Sequence, residues 1–454
     1  MGINFRIRDF SYPFSILRLK RIFDKNQWLS KEALDDFRLS RLKQVISQAY
    51  ENVPYYRKIM MERDITPDDI STLGDLKNIP FLTKTLLRTN FASLLAHNAK
   101  SYKPVMLSTS GTGGRKISFY VDKPSNILEF VYYWRLWGWA GYRLGDPCAE
   151  LCAEYFTFFK KKTTALHHFH YPSRRLLINS LYISRRYLDD FIGIFRRFKP
   201  LFLKGLPSNM YMLALLLNER PGHGISFKGI FSQGENLMPH QRELIESVFS
   251  SKVYDSYGHM ERTVAISNCP AGSYHIHMDY GMVELEDPEI PMVNQGGGEP
   301  DVKEIVGTSL YNLSMPLIRY RTGDLVKLAP CEEKCSCRRV FPKIVAIIGR
   351  DTDVIITPDG RAVTAIYTVF DRMPGIVMGQ IIQDRRDRLV VKIVNEFGKL
   401  NRVDEILKGH LRSFVGTGMD IKIEHTTADG IKGDSPGKFK VVVSLIPRED
   451  ILDS

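Results

Sequence analysis

Residues 108–116 read STSGTGGRK, with three glycines, four hydroxyl side chains and two cations in nine positions. Glycine permits positive φ and lets the backbone approach an anion closely. Successive N–H groups in such a turn form a nest for phosphate oxygens, and hydroxyls and cations add donors. Ser108, Thr109, Ser110, Gly111, Thr112, Gly113, Gly114 and Lys116 are therefore candidate phosphate-binding residues. A Walker loop would run G-x-x-x-x-G-K-[ST] into a helix. Here Lys116 follows Arg115 and precedes Ile117. The apolar runs at 105–107 and 117–121 both read as strands, so this loop joins strands and is not a Walker loop.

Cysteines form a second constellation. Cys331, Cys335 and Cys337 crowd seven residues, and Cys269 and His275 stand upstream. A reduced cluster of soft ligands reads as zinc. His167, His168 and His170 lie close together, but no Cys or carboxylate accompanies them. They read as part of a loop and not as a metal site.

Four more segments follow the glycine-rich loop in order: YGHMER at 257–262, YRTGD at 320–324, GRDTDVIITPDGR at 349–361 and DSPGKFKVV at 434–442. Together they resemble the adenylate-forming (acyl-CoA synthetase-like) superfamily. The aromatic-Gly-x-x-Glu segment, the ribose-binding motif, the hinge and the catalytic-lysine segment of that superfamily appear in its order. NVPYYR at 52–57, LKNIPFLTK at 76–84, KGLPSNM at 204–210 and SQGENL at 232–237 are similar to the phenylacetate–CoA ligase branch. That branch includes relatives encoded with capsular polysaccharide genes.

The resemblance implies an α/β fold. A large N-terminal domain of mixed sheets and helices, 1–348, would bind ATP and the acyl group. A small mobile α+β domain, 349–454, would carry the catalytic lysine. The implied activity is ATP-dependent activation of a small carboxylic acid through an acyl-adenylate, followed by thioester formation with coenzyme A. Two alternatives stay open. One is transfer of the acyl group to a carrier protein, or to an amine or hydroxyl of a polysaccharide precursor. The other is a degenerate nucleotide-binding protein, which the joint presence of Lys438, Asp324 and Glu261 argues against.

The same resemblance distributes roles. Glu261 would hold Mg²⁺, which prefers one or two carboxylates plus phosphate oxygens. Asp324 would accept from the ribose hydroxyls, with Gly323 giving close access. Tyr257, beside Gly258, would stack on adenine, and Gly234, beside Glu235, would leave room for the ring. Arg350 would contact ribose or phosphate next to a hinge at Asp351. Lys438, in a Pro-Gly-Lys turn, would bridge the attacking carboxylate and the α-phosphate in the transition state. His259 departs from the small residue usual at its position. Cys269, His275, Cys335 and Cys337 would be the zinc ligands, with Cys331 and His277 as substitutes. Four protein ligands make a closed, structural site.

The chain has 454 residues, 44% hydrophobic and 25% charged, enough for two or three domains with large cores. Six cysteines in this length are not a disulfide framework. No apolar run approaches the length of a spanning helix. The N-terminus lacks an uninterrupted apolar stretch, and Met1-Gly2 is followed by Arg6 where Ser or Thr would mark myristoylation. A cytoplasmic location is the expectation. The net charge of +12 suits anionic substrates such as ATP and coenzyme A. Paired basic residues without a nucleic-acid motif give no reason to expect nucleic acid. FSILRLKRIF at 14–23 could touch an anionic membrane weakly but reads better as a packed helix. A homodimer is compatible with all of this.

Elements must position these residues. Leu34, Leu42, Val45, Ile46 and Ala49 repeat at helical spacing after a plausible Ser30 cap, and Pro54 ends the run. The aromatic stretch 126–140 reads as a buried helix. From 145 to 330 short apolar runs alternate with helical patterns, including helices at 214–220 and 240–249, a strand and its loop at 227–235 and a strand at 252–258. Ligands sit beyond the carboxyl ends of such strands, which places Gly234-Glu235 and Tyr257-Gly258 on one rim. Beyond 348–351, strands at 387–394 and 420–426 flank a helix at 403–415.

Overall fold

The computed structural model describes residues 13–108, 117–153, 155–156, 165–288, 302–328, 335–350, 355–358, 362–363, 366, 369–370, 373, 376–395, 403–427, 430–431 and 440–446. Helices α1 (Pro13–Asn26), α2 (Lys31–Asn52), α3 (Pro54–Met61) and α4 (Lys84–Thr89) come first. Ser30 caps α2 by accepting from Ala33 N at 3.2 Å. The five apolar residues at helical spacing are all buried, and Pro54 opens α3. Helix α1 packs inward through Phe23, which is fully buried. Among the described residues no helix is long and apolar enough to cross a membrane.

Strands β1 (Val105–Ser108) and β2 (Ser118–Val121) pair antiparallel around the glycine-rich loop, and α5 (Lys123–Trp139) follows. Next come β3 (Cys148–Cys152), β4 (His167–His170), β5 (Arg175–Asn179), α6 (Leu188–Phe198), β6 (Phe202–Gly205), α7 (Pro207–Asn218), β7 (Gly229–Gln233), α8 (Pro239–Phe249) and β8 (Val253–Gly258). The three-histidine segment is thus a strand, β4, and not a loop. It pairs antiparallel with β5 and is held by ring contacts, His168 on Tyr155 and His167 on Phe198. Then follow β9 (Ala265–Asn268), β10 (Tyr274–Ile276), β11 (Gly281–Glu286), β12 (Val302–Ser309), β13 (Tyr320–Leu328) and β14 (Lys343–Arg350).

Among the described residues, β3 to β14 form one sheet in the order β11-β12-β13-β14-β10-β9-β8-β7-β6-β3-β5-β4. Strands β5, β3, β6, β7 and β8 are parallel. From β8 to β9 the ladder turns antiparallel and stays so to β11. The period of two sorts each strand's residues between faces. Leu151, Ile178, Leu203 and Ile230 pack with α6, α7 and α8, whereas Cys148, Phe202, Phe231 and Tyr254 pack under Leu136 and Trp137 of α5.

Past β14 come β15 (Ile355–Ile356), β16 (Ala362–Val363), β17 (Ile376–Arg385), β18 (Arg388–Asn395), α9 (Val403–Val415), β19 (Asp420–His425) and β20 (Val442–Ser444). β15 and β16 pair with each other, and the other four strands form a sheet in the order β19-β18-β17-β20. Its core draws Val391 and Ile393 together with Leu407 and Leu411 of α9.

Two glycines fix where the β8–β9 connection lies. A Cβ on Gly281 would sit 1.8 Å from the Thr263 carbonyl oxygen, and one on Gly307 would sit 2.0 Å from Thr263 Oγ1. The connection is therefore wedged against β11 and β12. Gly307→Ala should destabilise the fold by about 1–3 kcal/mol through overpacking. Gly138→Ala, at an exposed helical position with nothing within 4 Å of the new carbon, should be neutral or stabilise by up to about 1 kcal/mol. Urea unfolding of the two variants checks both signs.

Candidate active site

The turn after β8 carries the centre of the site. His259 O accepts from Arg262 N at 3.1 Å, and Arg262 takes a left-handed φ of 57°. This turn holds Glu261 inside, where it is 6% exposed. Both its oxygens are engaged. Tyr320 of β13 donates its hydroxyl to Oε1 at 3.0 Å, and His259 Nδ1 meets Oε2 at 3.0 Å. His259 is itself oriented by Thr263 Oγ1, 3.2 Å from Nε2. Arg262 turns the other way and donates to Asn126 Oδ1 of α5 at 2.6 Å. The turn is therefore tied to β13, to the β11–β12 face and to α5.

Burial by itself would raise the pKa of Glu261. The hydrogen bond and positive charge of His259, the backbone N–H and the Tyr320 hydroxyl outweigh it and hold the carboxyl at about 2. The result is a buried anion, a hard oxygen ligand that suits Mg²⁺.

Next to it, Tyr257 donates its hydroxyl to Asp324 Oδ2 at 2.6 Å. Asp324 sits on β13 behind Gly323, whose φ is 72°. Its N–H donates to Thr322 Oγ1 at 3.0 Å, and Gly323 N donates to Glu304 Oε1 at 3.1 Å. The backbone of Arg350 lies directly opposite Asp324 in the β13–β14 ladder. On the neighbouring rim Gly234 has φ 84°, and a Cβ there would come within 3.0 Å of Leu206. Glu235 accepts from Ser208 N at 3.1 Å at the start of α7. Asn236 Nδ2 reaches Ile348 O at 3.0 Å and ties this loop to β14.

Of the glycine-rich loop only Ser108 is described, and its hydroxyl lies 2.9 Å from that of Ser118. Thr109, Ser110, Gly111, Thr112, Gly113, Gly114 and Lys116 fall outside the described residues, as do Cys331, Asp351 and Lys438. Sequence reasoning missed Tyr320, although it opens the YRTGD motif, and missed Thr263 and Asn126 altogether.

The soft-ligand cluster assembles as expected. The donor atoms of Cys269, His275, Cys335 and Cys337 all lie within 4.8 Å of one another. Cys269 Sγ is 3.6 Å from Cys335 Sγ, and Cys337 Sγ is 3.3 Å from His275 Nε2. Ligands of a tetrahedral zinc ion stand about 3.5–3.8 Å apart, given metal–ligand bonds of about 2.0–2.3 Å. His275 Nδ1 is 2.8 Å from Phe341 O, which directs Nε2 into the cluster as an outer hydrogen bond to a metal-binding histidine does. His277 is no substitute ligand. Arg135 donates to its Nδ1, so its Nε2–H donates to Ser267 Oγ at 2.6 Å. Burial and then Arg135 hold its pKa well below the ordinary value.

Because the pKa of Glu261 is depressed below 4.5, its stabilising contribution is complete above about pH 4.5 and is lost as pH falls toward 2. His259→Ala removes the strongest group opposing burial, so the folded-state pKa rises and less of this contribution remains to hold the fold as pH falls. The acid-unfolding midpoint, followed by circular dichroism, should move upward. An unmoved midpoint in a variant that is folded at neutral pH would contradict the assignment.

With this geometry in view, comparisons place the chain. The family described as the CapK C-terminal domain matches residues 355–445. Phenylacetate-coenzyme A ligase from Aromatoleum evansii is 28% identical over 447 residues, which cover 92% of this chain and 96% of that protein. Protein CapK from Staphylococcus aureus is 23% identical over 405 residues, covering 87% of this chain and 86% of that one. The crystal structure of 2-hydroxyisobutyryl-CoA ligase in the postadenylation state, with R3-HIB-AMP, shares the fold. Its TM-score is 0.69 at 20% identity, covering 94% of this chain and 92% of that one. Along nearly its whole length the chain is therefore similar to the phenylacetate–coenzyme A ligases and CapK, and it shares its fold with an acyl-CoA ligase.

Proposed function

We propose that this chain activates a small carboxylic acid with ATP and then passes the acyl group to coenzyme A, in a reducing compartment such as the cytoplasm. One carboxylate oxygen attacks the α-phosphorus, the bond to the bridging oxygen breaks and pyrophosphate leaves. The coenzyme A thiolate then attacks the acyl carbon, and AMP leaves. The observation that carries this reading is the convergence of Tyr257, Glu261 and Asp324, with Tyr257 donating to Asp324 at 2.6 Å and Glu261 held as a buried anion beside them. The likeness to phenylacetate-coenzyme A ligases along nearly the full length supports it.

In this reading Asp324 accepts from the ribose hydroxyls, and Tyr257, fixed by that same carboxylate, presents its ring to adenine. Gly234 and Gly258 leave space for the base, and Glu235 holds the Gly234 loop on α7. Residues 108–116 take the terminal phosphates. Two anions must meet in line, so repulsion has to be offset before attack. Mg²⁺ on Glu261 and phosphate oxygens would neutralise charge gathering on the leaving pyrophosphate. Residues 1–348 form the ATP and acyl domain, and 349–454 the small domain that delivers Lys438. Arg350, opposite Asp324 at the boundary, contacts ribose or phosphate.

Zinc on Cys269, His275, Cys335 and Cys337 would act structurally. These ligands come from the β9–β10 region and the segment entering β14, and β10 pairs with β14. Zinc would brace β14, whose far end brings Arg350 to Asp324.

Pyrophosphate release across a panel of carboxylic acids, with and without coenzyme A, tests the activity. Release with no acid in the panel would refute it. Lys438→Ala should lower acyl-AMP formation by roughly 10²-fold or more, the scale for losing a charged transition-state contact. Supplied with preformed acyl-AMP, the same variant should transfer the acyl group at a near-normal rate, with its ATP dissociation constant little changed. Equal loss in both half-reactions would point to folding or docking instead.

Purified protein should carry about one zinc per chain. The double variant Cys335→Ser/Cys337→Ser should lose the metal and melt at a lower temperature, since a structural site contributes folding free energy. Full metal content in that variant would refute the ligand set.

A further inference from the structure

Strands β3, β6, β7 and β8 are parallel and end at Cys152, Gly205, Gln233 and Gly258 along one edge. The nucleotide-side residues leave this edge from β7 and β8. One residue short of the end of β6 stands Lys204, which is 2% exposed. The strand alternation puts it on the α5 face with Phe202, away from Leu203. Its ammonium lies 3.3 Å from Oε1 of Glu150, its cross-strand neighbour on β3. It also lies 5.5 Å from the centre of the Trp137 ring. Arg175, from β5, takes the other oxygen of Glu150.

Among the described residues, Glu150 is the carboxylate that Lys204 meets, and it meets Arg175 as well, beside an aromatic wall of Trp137, Phe202 and Phe231. An ammonium has three N–H donors. Among the described residues Glu150 is the one hydrogen-bond acceptor of Lys204. Burial, and then Arg175, lower its pKa to about 7, as expected for a buried ammonium beside a second cation. A buried charge without full compensation is costly. An apolar acid lying against this wall would leave that cost in place, and an oxygen acceptor would relieve it.

We propose that Lys204 determines specificity for the acid. The substrate carries, remote from the carboxylate that is adenylated, an oxygen acceptor that takes an open N–H of Lys204. This rests on the acid-activation reading above. The acceptor is a hydroxyl or a second carboxylate. Glu150 and Arg175 act as positioning residues that hold the ammonium at the end of β6. The wall's aromatic rings contact the body of the acid.

ATP–pyrophosphate exchange on matched acids tests this. One set is phenylacetate, 4-hydroxyphenylacetate and 4-carboxyphenylacetate; the other is hexanoate, 6-hydroxyhexanoate and adipate. In at least one set an acceptor-bearing acid should exceed its apolar parent in kcat/KM by about 100-fold or more, as sites built around a polar partner discriminate. The preferred arm identifies the hydroxyl or the carboxylate. Lys204→Met should bring that ratio close to one. Lys204→Gln, which keeps a neutral donor, should retain part of a hydroxyl preference and lose a carboxylate preference, and it carries the test if the methionine variant does not fold. Equal kcat/KM for parent and acceptor acids in the wild type overturns the proposal, as does an undiminished preference in a folded Lys204→Met. If every acid is silent in exchange, the acid-activation reading fails. Calorimetry of the same acids with wild type and variant then decides on Lys204, and equal affinities overturn it.

Discussion

Keeping a carboxylate ionised inside the protein is the constraint on which this site depends. Burial by itself favours the neutral form of Glu261, and it stays charged because donors come to it from separate parts of the chain. Tyr320 arrives from β13 and His259 from its own turn, with Thr263 fixing the imidazole. Each donor needs a partner of its own, so the demand spreads outward. Thr263 can reach His259 only because Gly281 and Gly307 leave room for it. Arg262 can leave the pocket only by adopting positive φ, and it then anchors to α5. The local cost of the left-handed residue and the two strand glycines is the cost of placing one anion.

The topology explains why this happens after β8. On one side the sheet is parallel, so strand ends gather along a single edge; on the other it is antiparallel. The β8–β9 connection is where the pattern changes, and it must cross over the edge that presents Gly234 and Gly258. β13 and β14 belong to the antiparallel half, yet Tyr257 reaches from β8 to Asp324 on β13. That hydrogen bond joins the two halves across the site. Ligand sites at such changes of strand direction follow from the geometry of open α/β sheets.

Much of this was legible from residues alone, for identifiable reasons. The helix over Lys31–Asn52 announces itself by spacing and cap, and α9 was read with its observed limits because Val403, Leu407 and Leu411 fall on one face. Motif order suggested that Tyr257, Glu261 and Asp324 belong together, because chemistry constrains residue type at those positions. The four soft ligands were legible for the same reason, while His277 misled: its neighbour in the sequence points into the cluster, but its own ring is claimed by Arg135 from 142 residues away. Contacts of that separation leave no local signal. β4 was misread because three histidines in four residues carry no apolar alternation, and its pairing with β5 makes it a strand.

Helix α5 lies between two buried charge clusters, and their difference is informative. On one side Arg135 meets both oxygens of Asp279, at 2.7 and 3.0 Å, and donates to the Phe23 carbonyl and to His277. One cation faces one carboxylate, and a neutral histidine closes the network. On the other side Lys204 and Arg175 both meet Glu150. Buried ion pairs are weak evidence of stability, since well-packed apolar residues often do as well. The first cluster nevertheless has a structural use, because it joins α1, α5 and the residues after β10 within one core. The second lies at the end of a strand whose neighbours carry Gly234 and Tyr257, and among the described residues two cations meet its one carboxylate. Folding alone would be served as well by a balanced or apolar set in that position. A buried ammonium with one hydrogen-bond acceptor among the described residues is costly to the fold alone, and the proposed part of Lys204 in recognising the acid gives that cost a use.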